Sequence, residues 1–335
     1  MNADAKLDQL VRHYVDEDIP YSIEPVPFGL TNVTRIVRIQ ESRYIIRIYN
    51  EYTKDVPGIE LESQVTSYLN RCGLSFQVPE LIHTRTGENY VQFPDGTLGA
   101  MVSFLNGSAP QLADASQVRG FGRVVGEIAA TLGRFDAGEL SYYGCSFTQV
   151  YGLHSLAGKD AVQAFMQKPP FPVAEDAIAF YYEMLKNIER SSERITSLPK
   201  QLVHHDLLVF NLLAEDHGIS GVLDFDFISL DAGIMELAIA LNHVLQMSDG
   251  SLDMAEAFLQ GYAEHRSATA SEIDCLQLMT QIYHVAVLHI YIGQHYTGSK
   301  VEPQFSYIMQ QFRSRNDWLE RHDTALRSLL EVHLL

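Results

Sequence analysis

Five side chains grouped in the second half of the chain have the types and spacing for chemistry on a phosphate. They stand in Gln201-Leu-Val-His204-His205-Asp206-Leu-Leu-Val-Phe-Asn211 and in Gly221-Val-Leu-Asp224-Phe-Asp226-Phe-Ile-Ser-Leu-Asp231. Each apolar run ends in a polar cluster. Such runs read as buried strands that deliver side chains to one edge of a fold. Asp206, Asn211 and Asp224 would then converge. Asp226 is either a second metal contact or a structural anchor. Carboxylate and amide oxygens suit Mg²⁺, which binds through one or two carboxylates plus substrate phosphates. In phosphoryl transfer an Asp orients a hydroxyl and accepts its proton, while an Asn on the same loop and a second Asp hold the metal.

Elements able to position these groups need a sizeable protein. The chain has 335 residues, more than one core usually serves, so two lobes are expected. Hydrophobic residues make up 46% and charged residues 20%, a globular composition. The formal net charge of −18 argues against a nucleic-acid partner and would attract cationic substrates. Cys72, Cys145 and Cys275 are far apart with no CxxC pair, which argues against a disulfide framework or a zinc site and fits a reducing cytoplasm. The polar, acidic first twenty residues do not read as a signal peptide. The apolar run 282–292 is too short and too broken to span a bilayer, so no membrane role is expected. Oligomeric state is not legible.

In chain order, 4–15 reads as an amphipathic helix. Runs 33–39 and 44–49 read as strands of a hairpin turning at 41–42. The preceding 28–32 segment, Phe-Gly-Leu-Thr-Asn, is turn-forming; it is either an ordinary turn or a loop whose backbone N–H groups can lie on a phosphate. Isoleucines flank Arg47, so its side chain takes the opposite face, where it is solvated or reaches phosphate oxygens. A helix spans 57–70 and carries Glu62, closed by Gly73. Short strands are expected at 80–83, 90–93 and 98–105. The break at 106–110 sets the boundary: a β-rich lobe over 1–105 and a helical lobe over 106–335. Helices are expected at 118–135, 174–195, 232–246, 252–266, 271–295 and 303–334, with 137–172 largely irregular. The glycines at 120, 122 and 126 are spaced GxGxxxG with no strand-to-helix turn before them, which reads as close helix packing.

His204-x-Asp206-x-x-x-x-Asn211, followed by Leu223-Asp224-Phe225 and Asp231-Ala-Gly-Ile-Met-Glu236-Leu-Ala, resembles the aminoglycoside phosphotransferase and choline kinase superfamily. Gly221-Val-Leu-Asp-Phe-Asp-Phe, Glu236-Leu-Ala-Ile-Ala-Leu-Asn242 and Gly99-Ala-Met-Val-Ser-Phe-Leu-Asn-Gly107 are most similar to its type II homoserine kinase branch. The resemblance runs from about residue 28 to 242 and is patchy over 110–200. It implies an α+β, bilobal, protein-kinase-like fold. It also implies an ATP-dependent, Mg²⁺-requiring kinase acting on a small-molecule hydroxyl, either a homoserine-like amino-alcohol or an aminoglycoside-like acceptor. On this resemblance Asp206 is the catalytic base, and Asn211 and Asp224 hold metal. Arg47 falls where the family places its phosphate-binding lysine, and Glu62 near its helix partner. The 28–32 segment, with Gly29 and Asn32, matches the nucleotide loop, and Ser103, Phe104 and Leu105 match the hinge that carries adenine. His204 would tie the catalytic loop; Asp231 and Glu236 would brace it or cap a helix.

Four departures stand out. Arg47 replaces Lys, His205 replaces a small residue, Glu236 replaces Asp, and the helix near Leu132 lacks a family His. Two other readings use the same residues. Asp206, Asp224 and Asp226 could form a metal-dependent phosphoesterase site, although Ile228 stands where the aspartate-nucleophile motif has a small hydroxyl residue. A nucleotide-binding module without transfer is the other, against which the intact Asp206, Asn211 and Asp224 set argues.

Overall fold

The structure is a computed structural model that describes residues 3–26, 32–216 and 218–335. It begins with α1 (Ala3–Arg12), whose Leu7, Leu10 and Val11 are buried at helical spacing. An antiparallel sheet follows. Its strands are β1 (Tyr21–Pro25), β2 (Val33–Ile39), β3 (Ser42–Ile48), β4 (Val91–Gln92) and β5 (Leu98–Ser103), in the order β1-β2-β3-β5-β4. Alternation along β3 divides its work. Ile46 and Ile48 pack with Val37, Met101 and α1. Arg47 takes the other face, beside Ile45 and Tyr49.

Across that second face lies α2 (Val56–Arg71). Asp55 caps it by accepting from the Gly58 N–H at 2.9 Å, and a proline stands in the first turn. Ile59 joins the cluster of Tyr49, Leu81 and Ala100, and Glu62 is buried on the same helix.

The remainder is mostly helical: α3 (Ala115–Leu132), α4 (Lys159–Gln167), α5 (Glu175–Arg190), α6 (Ser192–Thr196), α7 (Ile234–Met247), α8 (Leu252–Tyr262), α9 (Ala270–Asp274), α10 (Leu276–Tyr296) and α11 (Glu302–Leu334). Two small antiparallel pairs are set among them. β6 (Lys200–Val203) pairs with β9 (Ser229–Ala232), and β7 (Leu212–Glu215) with β8 (Gly218–Val222). The architecture is the expected α+β one. Its main core fills the helical part and takes in Leu61, Val65 and Leu69 of α2.

Several expectations shift. β1 was not anticipated; it pairs with β2 from Tyr21↔Ile39 to Pro25↔Arg35 at the sheet's edge, where a terminal proline is tolerated. Residues 80–83 make only an isolated bridge, Leu81↔Val102, on β5. The 137–172 segment contains α4, which buries Val162, Phe165 and Met166 at i, i+3, i+4 spacing. The long helices expected over 174–195 and 271–295 each break once, at Ser191 and at Cys275, where ψ opens to 10° and 0°. Most of the 28–32 segment, Gly29 included, lies outside the described residues; Asn32 lies inside them.

Gly122 and Gly126 do serve close helix packing. A Cβ at Gly122 would stand 2.0 Å from the Phe258 carbonyl oxygen, and one at Gly126 would stand 2.4 Å from that of Tyr262. α3 and α8 therefore touch backbone to backbone, while Gly120 faces open space. Gly120→Ala should stabilise the protein by up to about 1 kcal/mol, the helix-propensity gain alone. Gly122→Ala should destabilise it by about 1–3 kcal/mol despite the same gain, because backbone must move. Urea unfolding of the two variants checks the contrast.

Candidate active site

The ends of β6 and β8 bring the polar clusters together. Val203 closes β6, and its partner β9 follows the Asp224–Asp226 turn. The Leu223 N–H donates to the Asn211 carbonyl at 2.8 Å, which ties the two loops side by side. His204 links them again. Its Nε2–H donates to the Leu223 carbonyl at 3.0 Å, and its Nδ1 accepts from the Asp206 N–H at 3.2 Å. Burial lowers the His204 pKa to about 3, so the ring is neutral in this role.

Asp206 and Asn211 are locked to each other. The Asn211 Nδ2 donates to the Asp206 carbonyl at 2.9 Å and to its Oδ2 at 2.6 Å. His243 of α7 holds the stretch between them by accepting from the Val209 N–H at 3.2 Å. Burial, then the charges of Asp224 and Asp226, push the Asp206 carboxyl well above its ordinary range, against the pull of the Asn211 amide. Asp224 is raised to about 6, first by burial and then by Asp226, while Arg47 opposes. Its Oδ1 is buried with no hydrogen-bond partner. His205 and Asp224 both adopt positive φ, 68° and 65°, a costly conformation for such residues that surrounding contacts must hold.

The sheet reaches this group through charge. Arg47 Nη1 lies 3.1 Å from Asp226 Oδ1, 3.6 Å from Asp224 Oδ1 and 3.8 Å from Glu62 Oε1. Glu62 has a nearer partner that the sequence reading missed: Lys54 Nζ, at 2.6 Å. Lys54 also lies 3.7 Å from Asp226 Oδ1. Asn32 donates from Nδ2 to Asp226 Oδ2 and accepts from the Asn50 N–H at 2.9 Å. Asp226 is thus an anchor between the two parts of the molecule. Burial raises its pKa, but Lys54, Arg47 and the Asn32 amide carry it below the ordinary value. Lys54 immediately precedes the cap of the helix that bears Glu62, which was the one signal for it in the sequence.

Behind the 204–211 loop, the His205 Nδ1–H donates to the Phe227 carbonyl and its Nε2 pairs with Asp231 Oδ2, each at 3.0 Å. Its ring stacks on Phe147 at 4.4 Å. A small residue there would leave Asp231 one donor short; Phe147 N–H supplies another at 2.9 Å. Glu236 braces the loop from α7, its Oε2 accepting from the His204 N–H at 2.6 Å. At the end of β5 Ser103 is tied to Glu80 through both backbone and side chain, and Arg43 covers the Phe104 ring at 4.0 Å. Among the described residues, the backbone of Phe104 and Leu105 pairs with no other element.

Among the described residues no three or more His, Cys, Asp and Glu side chains gather as a metal site. Mg²⁺ needs fewer, because it keeps waters and takes phosphate oxygens. The Asp224 carboxylate, whose Oδ1 accepts no hydrogen bond, and the Asn211 amide oxygen, whose nitrogen is spent on Asp206, fit that donor set.

The sequence profile described as the phosphotransferase enzyme family matches residues 22–271. The chain belongs to that family. It is 25% identical over 285 residues to the homoserine kinase of Methylobacterium radiotolerans, covering 83% of this chain and 81% of that one. The homoserine kinase of Beijerinckia indica is 26% identical over 257 residues, covering 76% and 74%. Among solved structures, a microcompartment-associated aminopropanol kinase superposes with a TM-score of 0.74 at 16% identity, covering 97% and 98%. An amicoumacin kinase in complex with AMP-PNP, Ca²⁺ and its antibiotic superposes at 0.68 with 14% identity, covering 94% of each chain. The fold is therefore bilobal and protein-kinase-like, as the motif resemblance implied.

Burial raises Glu236 to about 7 from an ordinary 4.5, with the His204 N–H opposing. The folded chain then keeps a proton up to about 7 that the unfolded chain releases near 4.5, so this contribution falls as pH rises through that window. Relative to Glu236→Gln, the wild type should lose roughly 2 kcal/mol of stability between pH 5 and 8. Denaturant titrations of both proteins across that range measure the difference.

Proposed function

We propose that the protein transfers the γ-phosphate of ATP to the hydroxyl of a small amino-alcohol. Asp206 orients that hydroxyl and accepts its proton. Asn211 and Asp224 hold Mg²⁺, which neutralises charge on the phosphates when bound. The adenine takes the unpaired hinge backbone at Phe104 and Leu105. The nucleotide lobe ends near residue 105 and the acceptor lobe follows. Asp226 acts as an anchor, since Asn32, Arg47 and Lys54 occupy its oxygens. That occupancy speaks against a phosphoesterase in which Asp224 and Asp226 share a metal.

The wall beside Asp206 carries the acceptor assignment. Phe147 stacks on His205, meets Phe227 edge-on at 5.9 Å and lies parallel to Tyr283 at 6.4 Å. Burial and then the Asp206 charge raise the phenols of Tyr283 and Tyr291. Asp206 is the charged group that acts on both phenols. Aromatic faces beside a carboxylate favour an ammonium group. The homoserine kinases and the aminopropanol kinase to which the chain is similar support an acceptor of that size. We place the protein in the cytoplasm. Its three cysteines are unpaired, and among the described residues no helix is long and apolar enough to cross a membrane.

ADP release measured with ATP and Mg²⁺ against ethanolamine, aminopropanol, homoserine, sugars and aminoglycosides tests this reading. Turnover should be highest with an amino-alcohol and should require Mg²⁺. Asp206→Asn keeps an acceptor for the Asn211 amide, so it should fold while kcat falls by about 10²–10⁴-fold. Tyr291→Ala should raise KM for the acceptor by about tenfold with KM for ATP nearly unchanged. Turnover only with sugars, or full activity in Asp206→Asn, would defeat the assignment.

A further inference from the structure

Two cations, not one, face the acids at the lobe junction, and they divide the work unequally. The strand residue Arg47 lies closest to Asp226, whereas Glu62 takes its short contact from Lys54. Lys54 does not belong to the strand. It ends the stretch 50–54, which leads from Tyr49 after β3 to the α2 cap, and that stretch is held at several points. The Asn50 carbonyl accepts from the N–H groups of Thr53 and Lys54 at 3.1 and 3.0 Å. The Asn50 side chain accepts from the Tyr52 N–H at 2.9 Å. From the helical lobe, His154 stacks on the Tyr52 ring at 5.7 Å and the Ser155 N–H donates to the Tyr52 carbonyl at 3.3 Å.

We propose that Lys54 is a second phosphate-binding cation, acting with Arg47 as a pair that grips the nucleotide phosphates. The inference rests on the kinase reading above. Three observations carry it. The Lys54 side chain is 3% exposed, and a charged amine is buried at such cost only with partners that keep it charged. Its Nζ has three N–H donors; it forms an ion pair with Glu62 Oε2 at 2.6 Å, and the Asp226 contact at 3.7 Å is longer. Arg47 Nη1 lies 3.6 Å from Asp224 Oδ1, on the carboxylate that would hold the metal of the proposed site, and Lys54 shares Asp226 Oδ1 with Arg47 at 3.7 and 3.1 Å. Phosphates joined to that metal would approach this cation pair.

Arg47 keeps capacity of its own, since its Nε is buried with no hydrogen-bond partner. A guanidinium fork can meet two phosphate oxygens, and an ammonium meets one as a point charge. The division of labour follows. Glu62 orients Lys54, Asp226 orients Arg47, and each cation presents its remaining donors to the phosphates.

Lys54→Met alone would leave Glu62 buried without its near partner, so lost activity in that variant could reflect lost folding. The decisive variant is the double change Lys54→Met with Glu62→Gln, which removes both charges together. Three measurements apply: the melting temperature, ADP affinity with and without Mg²⁺ by calorimetry, and kcat and KM for ATP. The double variant should recover most of the melting temperature lost in Lys54→Met. It should still bind ADP about tenfold or more weakly without metal, and should lose kcat/KM for ATP by a larger factor. Lys54→Arg should restore part of both. Near-wild-type nucleotide affinity and kcat/KM in the double variant would overturn the proposal and leave Lys54 as a counter-ion for Glu62. Wild-type protein that binds no nucleotide would overturn the kinase reading and this inference with it. A wild type that turns over ATP beside an equally active double variant overturns only this inference.

Discussion

Asp226 comes from the helical part of the molecule, yet the groups that hold it, Asn32, Arg47 and Lys54, come from the sheet and its loops. Its side chain is 8% exposed, so its charge depends on those partners rather than on water. Removing one member of a buried ion pair typically costs about 3–5 kcal/mol, because the remaining charge is stranded. Such a cluster contributes little net stability, but it penalises any arrangement that separates its members. The position of β3 and α2 relative to the catalytic loop is fixed by that penalty. Asp224 lies two residues before Asp226, and Arg47 Nη1 is 3.6 Å from its Oδ1, so the same contact sets the Asp224 carboxylate under the sheet.

The acids of the site fall into two groups by environment. Asp226 and Asp231 are buried but carry donors, and both are held below the ordinary carboxyl range. Asp206, Asp224 and Glu236 are pushed upward, burial being the largest cause in each case. Acids whose environments drive their pKa values apart take different roles. The lowered pair anchors backbone and cations. Among the raised three, Asp206 and Asp224 are only partly buried, so a metal or a proton could reach and relieve them. Glu236 has no such outlet; it accepts from the His204 N–H and leaves Oε1 unpaired inside the core. A carboxylic acid that holds its proton there would brace the loop without adding charge behind Asp206.

The motif loop was legible because its geometry is local. His204, Asp206 and Asn211 are tied to each other and to Leu223 by bonds spanning at most nineteen residues. Strand alternation likewise put Arg47 on the face opposite Ile46 and Ile48. The partner of Glu62 was not legible. The resemblance pointed to Arg47 from its strand position, whereas the near contact comes from a lysine on the following loop. Loop residues have no periodicity from which to read a facing direction. The breaks at Ser191 and Cys275 escaped for a related reason, since apolar spacing continues on both sides of each. The aromatic wall of Phe147, Phe227 and Tyr283 joins segments more than fifty residues apart, and only packing assembles it.

Carrying a phosphate-binding cation on the 50–54 connection has a mechanical consequence. A strand residue such as Arg47 is fixed by its ladder, in register with Thr34 and Ala100. Lys54 is fixed by a turn whose outer side rests on His154 and Ser155 of the helical lobe. Movement of one lobe against the other would displace Lys54 while leaving Arg47 in place on its strand. The segment that supports this turn also leads to the acceptor wall, because His154 packs against Gly293 and Tyr291 lies two residues before that glycine. Nucleotide grip and acceptor contact thus share one stretch of α10. A phosphate pulled toward Lys54 and an ammonium drawn to the aromatic wall would both favour the same closed arrangement of the lobes, which couples the two substrates through packing rather than through direct contact.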